Sequence, residues 1–159
     1  MLDNWKKIEI FDVDGTIVDS THRYRLDPKT GKIDLAYWIE NNTPEKIAQD
    51  TLLPLAQFYM DCIADPEIYV IIATARVLQQ ADIDYFTNHL GMPDKVIGRQ
   101  MGSKEKGAIL KAKGLAFLKQ LKQFRDLPAT FHEDNPDYMV YICRTFGYTG
   151  IFYPSKQGY

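Results

Sequence analysis

Short apolar runs alternate along the chain with longer segments of mixed polarity. Five runs rich in β-branched or aromatic side chains have the length of strands and cover residues 8–11, 69–73, 95–97, 129–131 and 150–153. The run at 69–73 is apolar or aromatic throughout, which is typical of a strand buried on both faces of a sheet. The pattern therefore predicts a framework of buried strands.

The segments between these strands carry helix signals. Thr43, Pro44 and Glu45 form a typical helix start, and the helical pattern then reaches about residue 64, although Pro54 should kink or split it. Other helices are predicted at 34–41, up to about 89, from 103 to about 124 with interruptions at its glycines, and at 135–146. Alternating strands and helices indicate an α/β fold whose parallel sheet is covered on both faces.

A chain of 159 residues has the size of one domain, so residues 1–159 are predicted to share one core. Only residues 20–42 are left over as a short insertion.

No apolar stretch approaches the roughly 20 residues that span a bilayer, and the N-terminus is too polar for a signal peptide. Cys62 and Cys143 lie apart in apolar helical runs, which favours free thiols and a cytoplasmic protein.

Two aspartates follow the first predicted strand, in the sequence FDVDGT. Asp12 and Asp14 are two residues apart, so they would share one face if the strand continued. Paired carboxylates repel each other and favour a hard divalent cation such as magnesium. A polar turn explains the motif equally well, because Asp and Gly are ordinary turn residues, whereas a calcium loop would need further acids.

The charge is unevenly distributed. The net charge is −2, yet residues 95–125 carry nine basic residues and one acid, a local charge of +8. Such a segment favours a phosphate-bearing substrate, and a solvated helix face explains it as well.

Three predicted strand ends carry polar groups that a parallel sheet would bring to one edge. They are Asp12 with Asp14, then Thr74, and then Glu133 with Asp134. FDVDGT resembles the first motif of the haloacid dehalogenase (HAD) superfamily of phosphohydrolases, Thr74 its second, and HEDN the paired-acid form of its fourth. The resemblance implies a Rossmann-like parallel sheet with a small or absent cap.

The resemblance also implies roles for these residues. Asp12 would be the nucleophile that forms an aspartyl phosphate, and Asp14 would protonate the leaving oxygen and then activate water. Mg²⁺ would be held by Asp12, by the backbone carbonyl of Asp14, and by Asp134 or Glu133, whose order stays open. Thr74 would donate a hydrogen bond to a phosphoryl oxygen.

Within the superfamily, the chain is most similar to the phosphatase domains of phage polynucleotide kinases and to related small phage and bacterial hydrolases. These proteins carry a motif like Thr74-Ala75-Arg76 after the second strand. They also have an arginine and then a lysine about 20 residues ahead of the acid pair. Arg99 and Lys113 fit that spacing, with Lys119 and Lys104 as alternatives for the lysine.

An HR pair follows the first motif in the same hydrolases, and His22-Arg23 matches it. By resemblance, the pair would contact a phosphate or sugar at the pocket entrance, together with Ala75, Arg76 and Arg99. The alternative is that His22 and Arg23 fix the inserted loop by hydrogen bonds.

These observations predict a magnesium-dependent phosphomonoesterase. A nearly uncapped site and the basic segment favour a nucleic-acid 3'-phosphate end, and a 5'-nucleotidase or a small-metabolite phosphatase is the alternative. In a phosphoacceptor signalling domain, the acid pair follows the first strand and the phosphorylated aspartate follows a later strand. Here Thr74 follows the second predicted strand and the pair Glu133-Asp134 follows the fourth, so the order favours the hydrolase. A protein that binds phosphate without turnover is a further possibility.

Overall fold

The computed structural model describes residues 4–155 and residue 157. Its centre is a sheet of five parallel strands, beside a two-stranded antiparallel ribbon. In chain order the strands are β1 (Lys7–Phe11), β2 (Val18–Asp19), β3 (Thr51–Leu52), β4 (Ile68–Val77), β5 (Lys95–Arg99), β6 (Ala129–Glu133) and β7 (Thr149–Phe152). The large sheet has the order β5-β4-β1-β6-β7, and β2 pairs with β3, so the predicted α/β fold is confirmed.

The helices follow the predicted alternation, but several limits differ. They are α1 (Leu35–Glu40), α2 (Pro44–Ile47), α3 (Leu55–Ala64), α4 (Gln80–His89), α5 (Gly107–Leu115), α6 (Phe117–Gln120) and α7 (Pro136–Phe146). The predicted helix after Thr43 is split into α2 and α3, with Pro54 directly before α3. The basic helix begins at Gly107 rather than Ser103, because the Arg99 guanidinium holds the preceding loop by its carbonyls.

The strand predicted at residues 69–73 is β4 of the structure, and it is longer than predicted. β4 continues past Ala73 to Val77, so Thr74 and Arg76 lie within the strand and not after it. Its pairing with β5 shifts register between Ala73 and Val77. This irregularity lies at the carboxyl end of the sheet, where the predicted site residues meet.

Two hydrophobic clusters cover the two faces of the sheet. Ile8 and Ile10 of β1 point to the face covered by α5, α6 and α7, whereas Phe11 points to the face covered by α3 and α4. All three side chains are fully buried. The alternation along β1 explains why Ile8, Ile10 and Phe11 are apolar, whereas the buried Glu9, on the same side as Phe11, contacts His132 Nε2 at 2.7 Å. Asp12 follows β1 directly at the sheet edge.

The insertion at residues 20–42 is small. It contains a 3₁₀ turn at Thr21–Arg23, an antiparallel bridge between Leu26 and Ile33, and α1. The side chain of Asp34 caps α1 by accepting a hydrogen bond from the Tyr37 N–H at 3.0 Å. All six residues of α1 remain at least partly exposed, so the insertion adds little to either core cluster.

The structure bears on two predictions made from the sequence, the free cysteines and the lack of a membrane-spanning stretch. Cys62 and Cys143 are free thiols, as predicted, and burial raises the pKa of Cys62 to about 11. Across residues 4–155, no helix has both the length and the apolar character needed to cross a bilayer.

Candidate active site

The carboxyl ends of β1 and β6 bring three acidic side chains together. Asp12 follows β1, Glu133 ends β6 and Asp134 comes next, and one carboxylate oxygen from each lies within 4.8 Å of the other two. All three residues are buried. We call Asp12, Glu133 and Asp134 the acid cluster.

A buried lysine of α5 contacts the acid cluster. Lys111 is 0% exposed, and its Nζ donates to Asp12 Oδ1 at 2.8 Å and to Glu133 Oε2 at 2.6 Å. Burial alone lowers the pKa of Lys111, but the charges of Asp12 and Glu133 outweigh it, so the pKa is raised above its ordinary value. The lysine is therefore an ammonium ion at neutral pH.

The structure corrects the choice of lysine made from the sequence. The side chain of Lys113 is 70% exposed and pairs with Glu105 on the outer side of α5, and Lys104 and Lys119 are also exposed. Lys111 lies four residues after Gly107 and four before Leu115, both of which are buried. The spacing of four residues from each buried position places Lys111 on the buried side of α5, and this periodicity is visible in the sequence. Spacing to the acid pair pointed two residues too far along the helix.

Glu133 and Asp134 have different surroundings. Glu133 Oε1 accepts from the backbone N–H groups of Asp134 and Asn135, both at 3.1 Å, while its other oxygen holds Lys111. Asp134 Oδ2 accepts from the Ser155 hydroxyl at 2.6 Å. Glu133 accepts three hydrogen bonds from protein donors, Asp12 accepts two, from Lys111 and Thr16, and Asp134 accepts one from Ser155. Of the two acids at the end of β6, Asp134 is therefore better placed than Glu133 to be a metal ligand.

The acid cluster carries more negative charge than its lysine neutralises. Burial, and then the charge of Asp12, raise the pKa values of Glu133 and Asp134 above the ordinary range for carboxyl groups. Three carboxylates beside one ammonium leave an excess of two negative charges when all are ionised. A divalent cation has the matching charge, and carboxylate oxygens are ligands that Mg²⁺ prefers, so these residues fit the predicted metal.

The raised pKa values predict a metal-dependent stability profile. Between about pH 5 and about pH 8, Glu133 and Asp134 are expected to hold more protons in the folded chain than in the unfolded chain, so the free energy of unfolding of the metal-free protein should fall as pH rises. Added Mg²⁺ is expected to remove most of this fall, as measured by thermal unfolding across the pH series.

Two aspartate variants serve this measurement. Asp134→Asn should flatten the metal-free profile, whereas Asp137→Asn, on an exposed residue of α7, should not. A metal-free stability that rises over the same pH range would contradict the charge assignment.

Asp14 lies outside the acid cluster and is bound by an arginine. Arg76 donates from Nε to Asp14 Oδ2 at 2.8 Å and from Nη2 to Asp14 Oδ1 at 2.5 Å, and the Ser20 hydroxyl donates to Oδ1 at 2.6 Å. Burial raises the pKa of Asp14, but the Arg76 charge and these hydrogen bonds prevail and hold it below its ordinary value. Asp14 is therefore a carboxylate in this arrangement.

The predicted substrate-binding arginines are engaged within the protein. Arg76 also donates to Asp82 at 2.7 Å and to Asp50 at 3.2 Å. The fully buried Arg23 donates to both oxygens of Asp50, each at 2.9 Å. Sequence reasoning did not identify Asp50 and Asp82, which lie far along the chain from Arg23 and Asp14.

The HR pair has the contacts of a loop anchor. The His22 ring contacts Asp50 at 2.8 Å through Nε2, and Arg23 donates to the Asn42 side chain at 3.1 Å. The Arg23 guanidinium also stacks over the Trp38 ring, 4.3 Å from its centroid. These contacts match the alternative in which the pair fixes the insertion by hydrogen bonds.

Thr74, Ala75 and Arg99 complete the predicted set. Thr74 is buried near the end of β4, and its hydroxyl oxygen accepts from the Arg76 N–H at 3.1 Å. Arg99 donates to the carbonyl oxygens of Ala75, Ser103 and Glu105, at 2.9, 3.2 and 2.5 Å. Arg99 therefore holds the loop after β5 by its carbonyl oxygens.

Comparison with known protein families gives a match to the first two thirds of the chain. The family model described as "Bacteriophage T5 5'-deoxynucleotidase" matches residues 1–102. The 5'-deoxynucleotidase of Escherichia phage T5 is 38% identical over 81 residues, which are 50% of this chain and 33% of that protein. The chain thus spans about a third of the length of this curated relative.

Solved structures with HAD-like folds superpose on most of the chain. The Pnkp1/Rnl/Hen1 RNA repair complex contains a chain with a TM-score of 0.66 and 19% identity, covering 93% of this chain and 42% of that one. A HAD-like hydrolase from Streptococcus pneumoniae gives 0.64 and 15%, covering 95% and 89%. The HAD domain of the effector Lem4 from Legionella pneumophila gives 0.56 and 14%, covering 99% and 90%. The fold is therefore HAD-like, as the motifs predicted.

Proposed function

The chain belongs to the bacteriophage T5 5'-deoxynucleotidase family, and from this premise we propose that it is a phosphomonoesterase acting on deoxynucleoside 5'-monophosphates. The observation that carries the proposal is the contact of one buried lysine, Lys111, with Asp12 and Glu133 beside Asp134. A phosphate ester needs a nucleophile, a cation and a metal-ligand set at one point, and the acid cluster with Lys111 supplies candidates for each.

Asp12 is the proposed nucleophile. Its carboxylate attacks phosphorus, a bond forms between Asp12 and phosphorus, and the bond from phosphorus to the 5'-oxygen breaks. The Lys111 ammonium contacts Asp12 and would neutralise charge on the phosphoryl oxygens. Thr74 lies on β4, the strand next to β1, and its hydroxyl would donate a hydrogen bond to a phosphoryl oxygen. Water then attacks phosphorus and releases Asp12 and inorganic phosphate.

Asp14 is the proposed proton carrier. It donates a proton to the leaving 5'-oxygen and later accepts one from the attacking water. Its lowered pKa suits the second step, because a carboxylate is the form that accepts a proton. For the first step, the Arg76 pair must loosen so that Asp14 can hold a proton, and substrate binding next to Arg76 would supply that change.

Asp12 and Asp134 are the side chains that would hold Mg²⁺. Glu133 would orient Lys111 by accepting a hydrogen bond from its Nζ. When bound, Mg²⁺ would offset the repulsion between the phosphate and the acid cluster. The predicted ligation by the Asp14 backbone carbonyl remains part of this proposal.

The distribution of basic residues favours a free nucleotide over a long nucleic-acid strand. Phe124 packs on Trp5 and Tyr69, with ring centroids 5.2 and 4.6 Å apart, and both partners lie at the amino-terminal edge of the sheet. Lys122 and Arg125 flank Phe124 and therefore lie at the edge opposite the acid cluster. The basic segment does not form one continuous track leading to the site.

The family description likewise favours a 5'-monophosphate over the predicted 3'-phosphate end, which we retain as the second candidate. The predicted cytoplasmic location fits the two free thiols and a pool of free nucleotides.

A substrate comparison tests the proposal. Hydrolysis of deoxynucleoside 5'-monophosphates is measured beside that of 3'-monophosphates, a 3'-phosphorylated oligodeoxynucleotide and sugar phosphates, with Mg²⁺ present. We expect kcat/KM to be at least about 100-fold higher for the 5'-monophosphates than for the oligonucleotide. Turnover of the oligonucleotide alone would establish the second candidate, and phosphate binding without turnover of any substrate would overturn both.

A further inference from the structure

The segment after β7 crosses the active site. The Tyr153 N–H donates to the Glu133 carbonyl at 3.0 Å, which extends the pairing of β7 with β6 by one residue. Beyond it, the Ser155 hydroxyl donates to Asp134 Oδ2 at 2.6 Å, and the Gln157 N–H donates to the Ser155 hydroxyl at 2.9 Å. We call Tyr153, Pro154, Ser155 and Gln157 the tail.

The tail also reaches the acid–base side of the site. The Gln157 side chain donates from Nε2 to the Ser20 hydroxyl at 2.7 Å and accepts from the Ser20 N–H at 3.2 Å. Ser20 is fully buried, and its hydroxyl donates to Asp14 at 2.6 Å. A continuous set of hydrogen bonds therefore links Asp134 to Asp14 through Ser155, Gln157 and Ser20.

The first motif leaves room for this arrangement. Gly15 has a φ of 78°, and a Cβ atom at that position would overlap both Asp134 Oδ2 and the Ser155 hydroxyl oxygen. The glycine is thus needed for its backbone conformation and for the space that the Ser155–Asp134 hydrogen bond occupies. The tail therefore packs against Gly15 of the first motif with no space for a side chain between them.

We propose that Ser155 and Gln157 are positioning residues of the active site, an inference that rests on the proposed phosphomonoesterase function. Ser155 holds one oxygen of Asp134 and would leave the other oxygen available to a divalent cation. Gln157 orients the Ser20 hydroxyl, which in turn holds the proton carrier Asp14. Hydrogen bonds to a ligating carboxylate commonly change metal affinity by about 10- to 100-fold when they are removed.

Metal binding in the absence of substrate tests the role of Ser155. Mn²⁺ is titrated into the full chain and free Mn²⁺ is followed by electron paramagnetic resonance. We expect Ser155→Ala to weaken Mn²⁺ binding by about 10-fold or more. Ser155→Thr keeps the hydroxyl and should remain within about threefold of the parent chain.

Thr145→Ala is the matched control. It also removes one hydroxyl, but that hydroxyl donates to the Tyr141 carbonyl within α7 at 2.7 Å and is exposed. Mn²⁺ affinity should be unchanged in this variant. Equal Mn²⁺ affinity in Ser155→Ala and the parent chain would overturn the role of Ser155, even if the parent hydrolyses nucleotides normally.

Steady-state kinetics test the role of Gln157. Gln157→Ala should lower kcat by about 10-fold while leaving Mn²⁺ affinity within about threefold. The substitution removes the side chain that orients Ser20 and keeps the backbone N–H that donates to Ser155. Unchanged kcat would overturn the role of Gln157. If the parent chain itself binds no Mn²⁺ and hydrolyses no phosphate ester, the proposed function fails, which is a different result from failure of either tail variant.

Discussion

Replacing Asp12 by asparagine is expected to abolish phosphate-ester hydrolysis while leaving the protein folded. The neutral amide does not attack phosphorus, so kcat should fall by at least about 10³- to 10⁴-fold. The variant should be at least as stable as the parent chain without metal, because the charge of Asp12 is among the causes that raise the pKa values of Glu133 and Asp134. Lys111 keeps Glu133 as its partner.

Steady-state kinetics and thermal unfolding measure these two effects. Asp137→Asn is the matched control, since it makes the same change at an exposed position in the first turn of α7 and should keep full activity. Trapping gives direct evidence of the intermediate. Borohydride reduces an acyl phosphate to an alcohol, so quenching the parent chain during turnover should modify Asp12, as read by mass spectrometry. Activity of Asp12→Asn near the parent level would falsify the nucleophile assignment.

Replacing Lys111 by methionine is expected to have the second largest effect. In the described part of the chain, Lys111 is the only basic side chain in contact with the acid cluster. Its loss leaves buried carboxylates without their partner, which typically costs about 3–5 kcal/mol of the free energy of unfolding. It also removes a charge beside the transferring phosphoryl group, so kcat/KM should fall by at least about 10²- to 10³-fold.

Lys113→Met is the matched control, with the same chemical change two residues away. Lys113 is exposed and pairs with Glu105 at the surface, so its replacement should change the free energy of unfolding by less than about 1 kcal/mol and kcat/KM by less than about twofold. Lys111→Arg keeps the charge and shows whether a folded variant with the wrong geometry is also impaired. Loss of activity in Lys113→Met with full activity in Lys111→Met would restore the choice made from spacing.

Local patterns were enough to predict the framework and the acids. Ile8, Ile10 and Phe11 of β1 are apolar because the strand is buried on both faces, and that pattern is visible within a few residues. Asp12, Thr74 and Asp134 could be assigned to one sheet edge because parallel strands align their carboxyl ends. The HAD-like fold follows from the same order of motifs, and the structural comparisons confirm it.

The structure places Lys111, and not the predicted Lys113, in contact with the acid cluster. Several lysines lie within reach of the expected spacing, and linear distance along the chain does not say which side of α5 each one occupies. The buried positions Gly107, Leu110 and Leu115 define the inner side of the helix, and Lys111 lies among them. A charged residue on the apolar side of a helix was therefore the informative signal.

The sequence by itself determined the alternation of strands and helices and the position of the acids at strand ends, because each depends on neighbouring residues. Only the tertiary structure decided the partners of the charged groups. Asp50 joins Arg23 to Arg76, and the Ser155 hydroxyl reaches Asp134, across separations that no local pattern encodes. Buried charges and hydroxyls take whichever partners the folded chain brings within hydrogen-bonding distance, so their roles depend on packing and not on spacing.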